Sequence, residues 1–365
     1  MKIGIVGLPM VGKTTLFNLL TGSTTETSRF MSGKTDANVG VARVPDARID
    51  YLSRLYKPRK TTYAQIEFTD VPGLVRGASS GQGVGNQFLA AIRDVDALVE
   101  VVRVLASPDV THVEGNIDPM RDIQTVGMEL LFADLELVEK RLERIASAKN
   151  KKKTPEQEAE LVLLEKLREG LEAEKSVFNL DLAEEERVVL RQYGFFTQKP
   201  LLLVPNLDDK QLRAGDYPGK GDVEAWAAAN GVPLVEVCGA LEEEIGRLGP
   251  EDREIFLADL GLSEPGVDRL SRAVYARLGL ISFLTSGEDE VKAWTIDAGM
   301  TAKQAAGKIH TDIERGFIRA EVVAFADFQA VAGSMAKARD AGKVRLEGKD
   351  YVVKDGDIVH FRFNV

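Results

Sequence analysis

The residues best suited to chemistry form a glycine-rich octapeptide near the start of the chain. Residues 7–14 read GLPMVGKT and fit the pattern G-x-x-x-x-G-K-[ST] at every position. An apolar run at residues 2–6 precedes them, and a helical pattern with Leu16, Leu19 and Leu20 on one face follows. Glycines between a strand and a helix let the backbone wrap around phosphate oxygens, and the amides at the helix N-terminus point at the anion. The motif therefore predicts a nucleotide-phosphate site rather than a glycine-rich turn without a ligand.

The side chains of this loop have distinct expected roles. Lys13 should contact the β- and γ-phosphates and take part in catalysis by neutralising their charge, while the Thr14 hydroxyl should ligate Mg²⁺. The predicted phosphate-binding residues are Gly7, Pro9, Met10, Val11, Gly12, Lys13, Thr14 and Thr15.

A second motif, Asp70-Val71-Pro72-Gly73, follows another strand-like run at residues 66–69. A carboxylate at a strand end can hold Mg²⁺, usually through a water molecule, and the amide of Gly73 can donate to the γ-phosphate. The pattern D-x-x-G is common, and by itself it also fits an ordinary turn. Downstream of a phosphate loop and on a different strand, it favours a switch GTPase over a P-loop kinase.

A candidate base-reading motif, Asn206-Leu207-Asp208-Asp209, follows the strand pattern at residues 200–204. It lies where GTPases carry N-K-x-D, whose asparagine holds the loop and purine N7 and whose aspartate pairs with guanine. Leucine replaces the lysine here. Residues 238–240 follow the last strand-like run, where GTPases contact the base through a short backbone loop. The predicted base-site residues are Asn206, Leu207, Asp209, Cys238, Gly239 and Ala240, with Cys238 a packed residue rather than a nucleophile.

Apolar, strand-like runs alternate with helical patterns over much of the chain. They lie at residues 2–6, 39–44, 64–69, 97–104, 200–204 and 233–237. The alternation predicts an α/β P-loop NTPase fold of the GTPase type, with a mainly parallel sheet and helices on both sides.

A predicted helical hairpin interrupts this alternation. Apolar residues recur at steps of four and three along its first helix, as in a coiled-coil seam: Leu131, Leu135, Val138, Leu142 and Ile145. A basic turn at residues 149–153 leads into a second helix, whose apolar residues are Leu164, Leu167 and Leu171. The hairpin is therefore expected to be an insertion in the α/β domain.

The pattern changes to that of a small α+β domain after Gly279. Strands are expected at residues 290–296, 319–325, 349–353 and 358–363, and a short helix at 301–310. A hairpin signal, KDGD at residues 354–357, separates the last two strands. The predicted domains are a nucleotide-binding domain of residues 1–120 and 198–278, a helical insertion of residues 121–197 and a C-terminal domain of residues 279–365.

Composition narrows the class of protein. The chain has 365 residues, a formal net charge of -10 and one cysteine, Cys238. A single cysteine permits no intrachain disulfide and suits the cytoplasm. The N-terminus does not have the pattern of a signal peptide, and no apolar run is long enough for a membrane span. An acidic chain can contact nucleic acid only through a local basic patch, so sequence-specific DNA binding is not expected.

Several runs of sequence resemble one family, the YchF/Obg-like ATPases. They are GIVGLP at residues 4–9, DVPGLVRGASSGQGVGN at 70–86, KAWT at 292–295, GKIHTD at 307–312 and DGD at 355–357. The resemblance extends from end to end of the chain. It implies a G domain, a coiled-coil hairpin and a C-terminal TGS domain with a ubiquitin-like β-grasp fold. It also implies ribosome association and a frequent preference for ATP over GTP.

The resemblance also assigns roles to two residues that spacing alone does not single out. Thr35 corresponds to the switch I threonine that ligates Mg²⁺, although by spacing it is one threonine in a polar loop. Leu74 occupies the position where small GTPases have the glutamine that orients the attacking water. The family's candidate for that role corresponds to His112, whose alternative reading is a loop histidine without a function.

Four departures from the family pattern bear on regulation and specificity. Met10 stands where asparagine supports potassium-assisted hydrolysis, and Lys34 stands where redox-regulated members have cysteine. Leu105 replaces an adenine-stacking phenylalanine, and Asp209 replaces a frequent glutamate. The last two changes weaken an adenine assignment, and Asp209 partly restores the guanine pattern.

Taken together, the sequence predicts a slow, Mg²⁺-dependent hydrolase of ATP, GTP or both that acts as a ribosome-associated nucleotide switch. The alternative is a nucleotide-sensing module with negligible turnover. The expected partners are ATP, GTP, their diphosphates and the ribosome or its large subunit. Contact with rRNA would involve the basic turn at residues 149–153, for which a solvated hairpin tip is the alternative. A monomer without membrane association is expected.

Overall fold

The computed structural model describes residues 1–24, 38–74, 84–107, 110–147, 154–190 and 192–364. The chain divides into two units, of which the first consists of Met1–Val41 and Glu67–Leu270. The second consists of Ala42–Ile66 and Ser271–Val365. None of the helices in the described ranges is long and apolar enough to cross a membrane.

The strands and helices are numbered along the chain. The strands are β1 Lys2–Val6, β2 Asn38–Arg43, β3 Lys60–Thr62, β4 Gln65–Asp70, β5 Ala97–Arg103, β6 Leu201–Asn206, β7 Leu280–Thr285, β8 Glu290–Asp297, β9 Phe317–Ala324, β10 Arg345–Glu347 and β11 Asp357–Phe363. The helices are α1 Lys13–Thr21, α2 Ala47–Tyr56, α3 Val84–Arg93, α4 Pro119–Ser147, α5 Pro155–Glu172, α6 Glu184–Leu190, α7 Asp209–Ala214, α8 Lys220–Ala229, α9 Gly239–Arg247, α10 Pro250–Asp259, α11 Gly266–Arg277, α12 Ala302–Ile309, α13 Thr311–Arg315, α14 Phe325–Ala330 and α15 Met335–Asp340.

The predicted parallel sheet is confirmed, with strand order β2-β4-β1-β5-β6. Strand β1 pairs in parallel with β4 and β5, and β5 pairs in parallel with β6. Every residue of β5 is buried, as expected of an apolar strand covered on both faces. Residues 233–237 add parallel hydrogen bonds at the edge, since Leu203 N donates to Pro233 O and Val237 N to Pro205 O. The carboxyl ends of β1, β4, β5 and β6 therefore lie along one edge.

The predicted helical insertion is also confirmed, as α4 and α5 pack through a shared apolar cluster. Leu131, Val138 and Ile145 are buried there, with Leu135 and Leu142 packed against them. Leu164, Leu167 and Leu171 of α5 belong to the same cluster. The basic turn at residues 149–153 lies outside the described residues, so its predicted contact with rRNA stays a prediction.

A buried carboxylate anchors the insertion to the chain that returns to the sheet. Asp134 of α4 accepts hydrogen bonds from the backbone N–H groups of Phe196 (2.8 Å) and Thr197 (2.7 Å). Burial raises the pKa of Asp134 to about 6, against the opposing effect of these donors. The contact therefore joins α4 to the segment that immediately precedes β6.

The second unit contains a mixed sheet of strand order β10-β9-β11-β7-β8-β3. Its central pair, β7 and β11, is parallel, while β7 with β8 and β9 with β11 are antiparallel. Helix α12 packs Ala302, Ala305 and Ala306 into the core of this sheet. A parallel central pair flanked by antiparallel neighbours and covered by a helix is the β-grasp arrangement implied by the family resemblance.

Two details predicted for this C-terminal region were wrong. Residues 349–353 form only a bridge between Val352 and Thr301, and the short strand lies earlier, at β10. The KDGD turn at residues 354–357 therefore does not join two paired strands. Its Gly356 N instead donates to Ser282 O at 2.8 Å and its Gly356 O accepts from Phe325 N, so the turn serves contacts distant in sequence.

A segment expected to belong to the nucleotide-binding domain is part of the second unit. Strand β3 runs parallel to β8, with Lys60 opposite Glu290. In the same unit, Arg48 of α2 forms a 2.7 Å ion pair with Asp355. The structural division therefore differs from the predicted ranges, which placed residues 42–66 in the first domain and began the last at residue 279.

Candidate functional site

The backbone of the phosphate loop requires glycine at two positions. Gly7 and Gly12 have φ values of +139° and +104°, where side chains are strained. A Cβ at Gly7 would lie 2.5 Å from the carbonyl oxygen of Val101, and one at Gly12 would lie 2.4 Å from Asn206 Nδ2. The loop therefore lies directly against the ends of β5 and β6. Met10 also has a positive φ, of 66°, which is unusual for a residue with a side chain.

Lys13 begins α1 and is folded back into the loop that precedes it. Its side chain is buried, and Nζ donates to the carbonyl oxygens of Leu8 (2.7 Å) and Gly7 (3.2 Å). Burial lowers the pKa of this ammonium to about 8, and the charge of Asp70 partly opposes the shift. The cation is thus held, largely desolvated, against the carbonyl oxygens of the loop.

Thr14 and Asp70 bring two oxygen ligands together. The Thr14 hydroxyl donates to Asp70 Oδ2 at 2.8 Å. The contact follows from the sheet, because β1 and β4 are parallel neighbours and Ile5 lies opposite Asp70. Hydroxyl and carboxylate oxygens are the ligands that Mg²⁺ prefers.

The chain after Asp70 packs on the phosphate loop. Leu74 N donates to Gly7 O at 3.1 Å. A Cβ at Gly73 would lie 2.9 Å from Pro9 Cα, closer than real side chains approach backbone. The Leu74 side chain is fully buried, so it can neither hydrogen-bond a water molecule nor reach one.

Asn206 connects the phosphate loop to the loop before α9. Its Nδ2 donates to Val11 O at 3.0 Å, and its Oδ1 accepts from Gly239 N at 3.4 Å. A Cβ at Gly239 would lie 3.4 Å from Thr15 Cγ2, so the first turn of α1 borders this loop as well. Ala240 is exposed beside it. These predicted site residues therefore lie together.

Two predicted base-site residues have other contacts. Leu207 is 1% exposed and packs in an apolar cluster with Val102 and Tyr217, so its side chain belongs to the core rather than to a base pocket. Asp209 is exposed, and its Oδ1 accepts from Arg213 Nε at 2.9 Å. At the position where the GTPase motif has lysine, this chain therefore has a core residue.

Cys238 is buried at the N-cap of α9, and burial raises the pKa of its thiol. A thiol that resists deprotonation is a poor nucleophile. The burial agrees with the prediction that Cys238 is a packed residue.

Of the two residues assigned only by the family resemblance, Thr35 lies outside the described residues, and His112 contacts a different part of the chain. His112 is buried, and its Nε2 lies 2.8 Å from Asp122 Oδ2 in the first turn of α4. All of its described polar contacts are with residues near the start of the insertion.

Gln211 also supports the site but was not predicted. It forms a reciprocal capping box with Asp208, and its Nε2 donates to Val104 O at 2.9 Å. It thereby links the loop after β6 to the end of β5. The spacing D-x-x-Q at the start of α7 is a recognisable capping signal, but the contact with Val104 depends on the sheet order.

A phosphate loop after β1, a paired threonine and aspartate, and an asparagine loop after β6 define a P-loop nucleotide hydrolase of the GTPase type. The Ribosome-binding ATPase YchF of Bacillus subtilis (strain 168) is 46% identical over 365 residues, with 99% of each chain covered. Its counterpart from Escherichia coli O157:H7 is 44% identical over 364 residues, and the alignment covers 100% of this chain and 99% of the Escherichia coli protein. The chain belongs to the YchF family.

Family models and a solved structure agree with this assignment. A model described as "50S ribosome-binding GTPase" matches residues 2–132. A second, YchF-GTPase_C, described as a protein of unknown function, matches residues 280–364. The structure of the Schizosaccharomyces pombe YchF GTPase superposes on this chain with a TM-score of 0.86 at 33% identity. The superposition covers 99% of this chain and 97% of the Schizosaccharomyces pombe chain.

The lowered pKa of Lys13 predicts how nucleotide affinity depends on pH. Triphosphate attracts the protonated amine, so its binding raises the pKa above the value of about 8 in the free protein. Affinity should be constant well below pH 8 and then fall by up to about tenfold per pH unit as the free protein loses the proton. Titration of a non-hydrolysable ATP analogue from pH 6.5 to 9.5 measures this. A flat profile across that range would contradict the assigned contact.

Proposed function

We propose that the protein is a slow, Mg²⁺-dependent purine nucleoside triphosphatase that acts as a ribosome-associated switch. The observation that supports this most directly is the convergence of Lys13, Thr14, Asp70 and Gly73 on one loop. The names of the relatives, ribosome-binding ATPases, support both the reaction and the partner. Cytoplasmic location and a monomeric state are part of the proposal.

The residues present fit a magnesium ion. Thr14 and Asp70 supply adjacent hard oxygen ligands, and Thr35 is proposed as a further ligand because of the family resemblance. A bound Mg²⁺ would neutralise phosphate charge.

The chain's own residues account for much of the expected chemistry. The ammonium of Lys13 and the amides of residues 7–14 stabilise charge on the phosphates, and Gly73 N–H is proposed to donate to the γ-phosphate. Since Leu74 cannot hold a water molecule, we assign that role to His112 after it leaves its buried position. A sensing module with negligible turnover remains the second candidate, favoured by the burial of both side chains.

Single-turnover hydrolysis with and without ribosomes tests the proposal. We expect the isolated protein to be slow, because Ras without its activator turns over at only ~10⁻⁴ s⁻¹. Ribosomes should accelerate the wild type, and the His112→Ala variant should lose that acceleration. A rate that ribosomes leave unchanged would contradict partner activation. Equal rates for wild type and His112→Ala under both conditions would remove His112 from the mechanism.

The purine preference should be small. Leu207 lies in the core and Asp209 is paired with Arg213, so polar groups for pairing with either base are incomplete. Sites that satisfy buried polar groups with one base discriminate by orders of magnitude. We expect the affinities for ATP and GTP to differ by less than about a hundredfold, with ATP favoured, in parallel calorimetric titrations. A larger difference in either direction would overturn this prediction.

A further inference from the structure

Both ring nitrogens of His112 face groups of the protein. Nδ1 accepts from the backbone N–H of Glu114 at 3.1 Å, and Nε2 lies 2.8 Å from Asp122 Oδ2. The side chains of His112 and Asp122 are each 3% exposed. Despite this short distance, neither Nε2 nor Oδ2 has a hydrogen-bond partner of good geometry within the described part of the chain.

The surroundings hold this pair firmly. The second oxygen of Asp122 accepts from Arg121 Nε (3.0 Å) and Nη2 (2.8 Å). Arg121 is itself fixed, since its guanidinium donates to the side chain and the backbone carbonyl of Asn116. The loop between β5 and α4 is thus tied to the first turn of α4 from two sides.

Two buried residues of strand β5 lie near this pair. Arg103 donates to the carbonyl oxygens of Leu105 and Val110. Glu100 is buried, and desolvation, followed by the nearby charge of Asp122, raises its pKa well above the usual range. Asp122 is the acidic residue that faces the imidazole.

An imidazole can orient a water molecule only through a free ring nitrogen. In this arrangement Nδ1 accepts a hydrogen bond and Nε2 is buried against Asp122, so neither nitrogen is open to water and His112 has to leave Asp122 before it can act. Asp122 lies in the first turn of α4, which is also the first helix of the insertion. A displacement of the insertion would therefore move Asp122 directly, because no loop separates Asp122 from the insertion.

We propose that Asp122 is a positioning residue that holds His112 in an inactive, buried position, and that a shift of α4 releases it. The inference rests on the proposed role of His112 in hydrolysis. It identifies the contact through which a partner bound to the insertion would control turnover.

Turnover of the isolated protein is the first test. Asp122→Ala removes the group that Nε2 faces, so we expect kcat without ribosomes to rise about tenfold, equivalent to ~1.4 kcal/mol. KM should stay within about twofold, because the phosphate loop is untouched. Asp122→Asn retains an acceptor of the same shape and should give a smaller increase.

The double variant separates release from general loosening. In a His112→Ala background, Asp122→Ala should have no effect on kcat, since no imidazole remains to be released. Asp134→Asn is the matched control: it weakens another buried anchor of the same helix and leaves His112 held. It should not raise kcat. Thermal melts confirm that each variant is folded.

Chemical modification gives a readout that does not depend on turnover. The chain has three histidines, and His310 and His360 are exposed. Diethyl pyrocarbonate should modify these two in the wild type and modify His112 only after Asp122→Ala or Asp122→Asn, as detected by mass spectrometry.

The outcomes are distinct. Three results would each overturn the proposed role of Asp122. They are an unchanged or lowered kcat in folded Asp122→Ala, a rise in kcat that persists without His112, and a wild-type His112 that reacts as fast as His360. If His112→Ala matches the wild type with ribosomes present, the proposed function of His112 fails instead, while its protection by Asp122 can still be measured.

Discussion

Lys13→Ala is expected to abolish triphosphate hydrolysis and to weaken triphosphate binding by about a hundredfold, equivalent to ~2.7 kcal/mol. The ammonium is already buried against the carbonyl oxygens of Gly7 and Leu8. The desolvation free energy of that burial lowers its pKa to about 8. A bound phosphate offsets that cost, so the variant loses an interaction for which the free protein is prepared. Calorimetric titration and single-turnover hydrolysis measure the two effects.

Stability distinguishes this loss from misfolding. Removing a desolvated cation relieves a burial cost that offsets the two lost hydrogen bonds, so the melting temperature of Lys13→Ala should be close to that of the wild type. Thr21→Ala, at the far end of α1, is a suitable control: its hydroxyl donates to Phe17 O, and its loss should leave hydrolysis unchanged. Normal turnover in Lys13→Ala would contradict the phosphate-site assignment.

The contacts of the phosphate loop that the sequence indicated depend on neighbours in the chain. The phosphate loop takes its shape from glycines at fixed spacing between a strand and a helix, and Lys13 and Thr14 directly follow. The meeting of Thr14 with Asp70 needed one further step, that β1 and β4 are parallel neighbours. A parallel α/β sheet makes this step short, because strand ends gather at one edge.

The parts that sequence did not predict depend on pairings between distant segments. Strand β3 has three residues and no apolar alternation, so nothing local indicates that it joins β8. Leu207 was assigned to the base by motif alignment, yet its burial follows from neighbours such as Tyr217 that only the folded core supplies. The contact of His112 with Asp122 joins a loop to a helix through polar side chains that carry no periodic signal.

Gly73→Ala is expected to lower kcat about a hundredfold while leaving diphosphate affinity nearly unchanged. The new Cβ would lie 2.9 Å from Pro9 Cα and 3.0 Å from Pro9 N, and neither backbone atom can swing away as a side chain would. Residues 71–74 would have to withdraw from the loop, which stretches the 3.1 Å bond from Leu74 N to Gly7 O. The proposed Gly73 N–H contact with the γ-phosphate would be lost with it, whereas the diphosphate is held mainly by residues 7–14.

Parallel titrations with ADP and a non-hydrolysable ATP analogue separate these contributions, since only the second ligand presents a γ-phosphate. Gly127→Ala provides the matched control: it lies inside α4, and its Cβ would meet no atom within 4 Å. It should stabilise the helix by roughly 0.5–1 kcal/mol and leave turnover unchanged. If Gly73→Ala retained wild-type kcat, the close approach of Gly73 to Pro9 would have no part in hydrolysis. Both variants add the same methyl group. If only Gly73→Ala loses affinity, and only for the ATP analogue, the contact between Gly73 and Pro9 takes part in sensing the γ-phosphate.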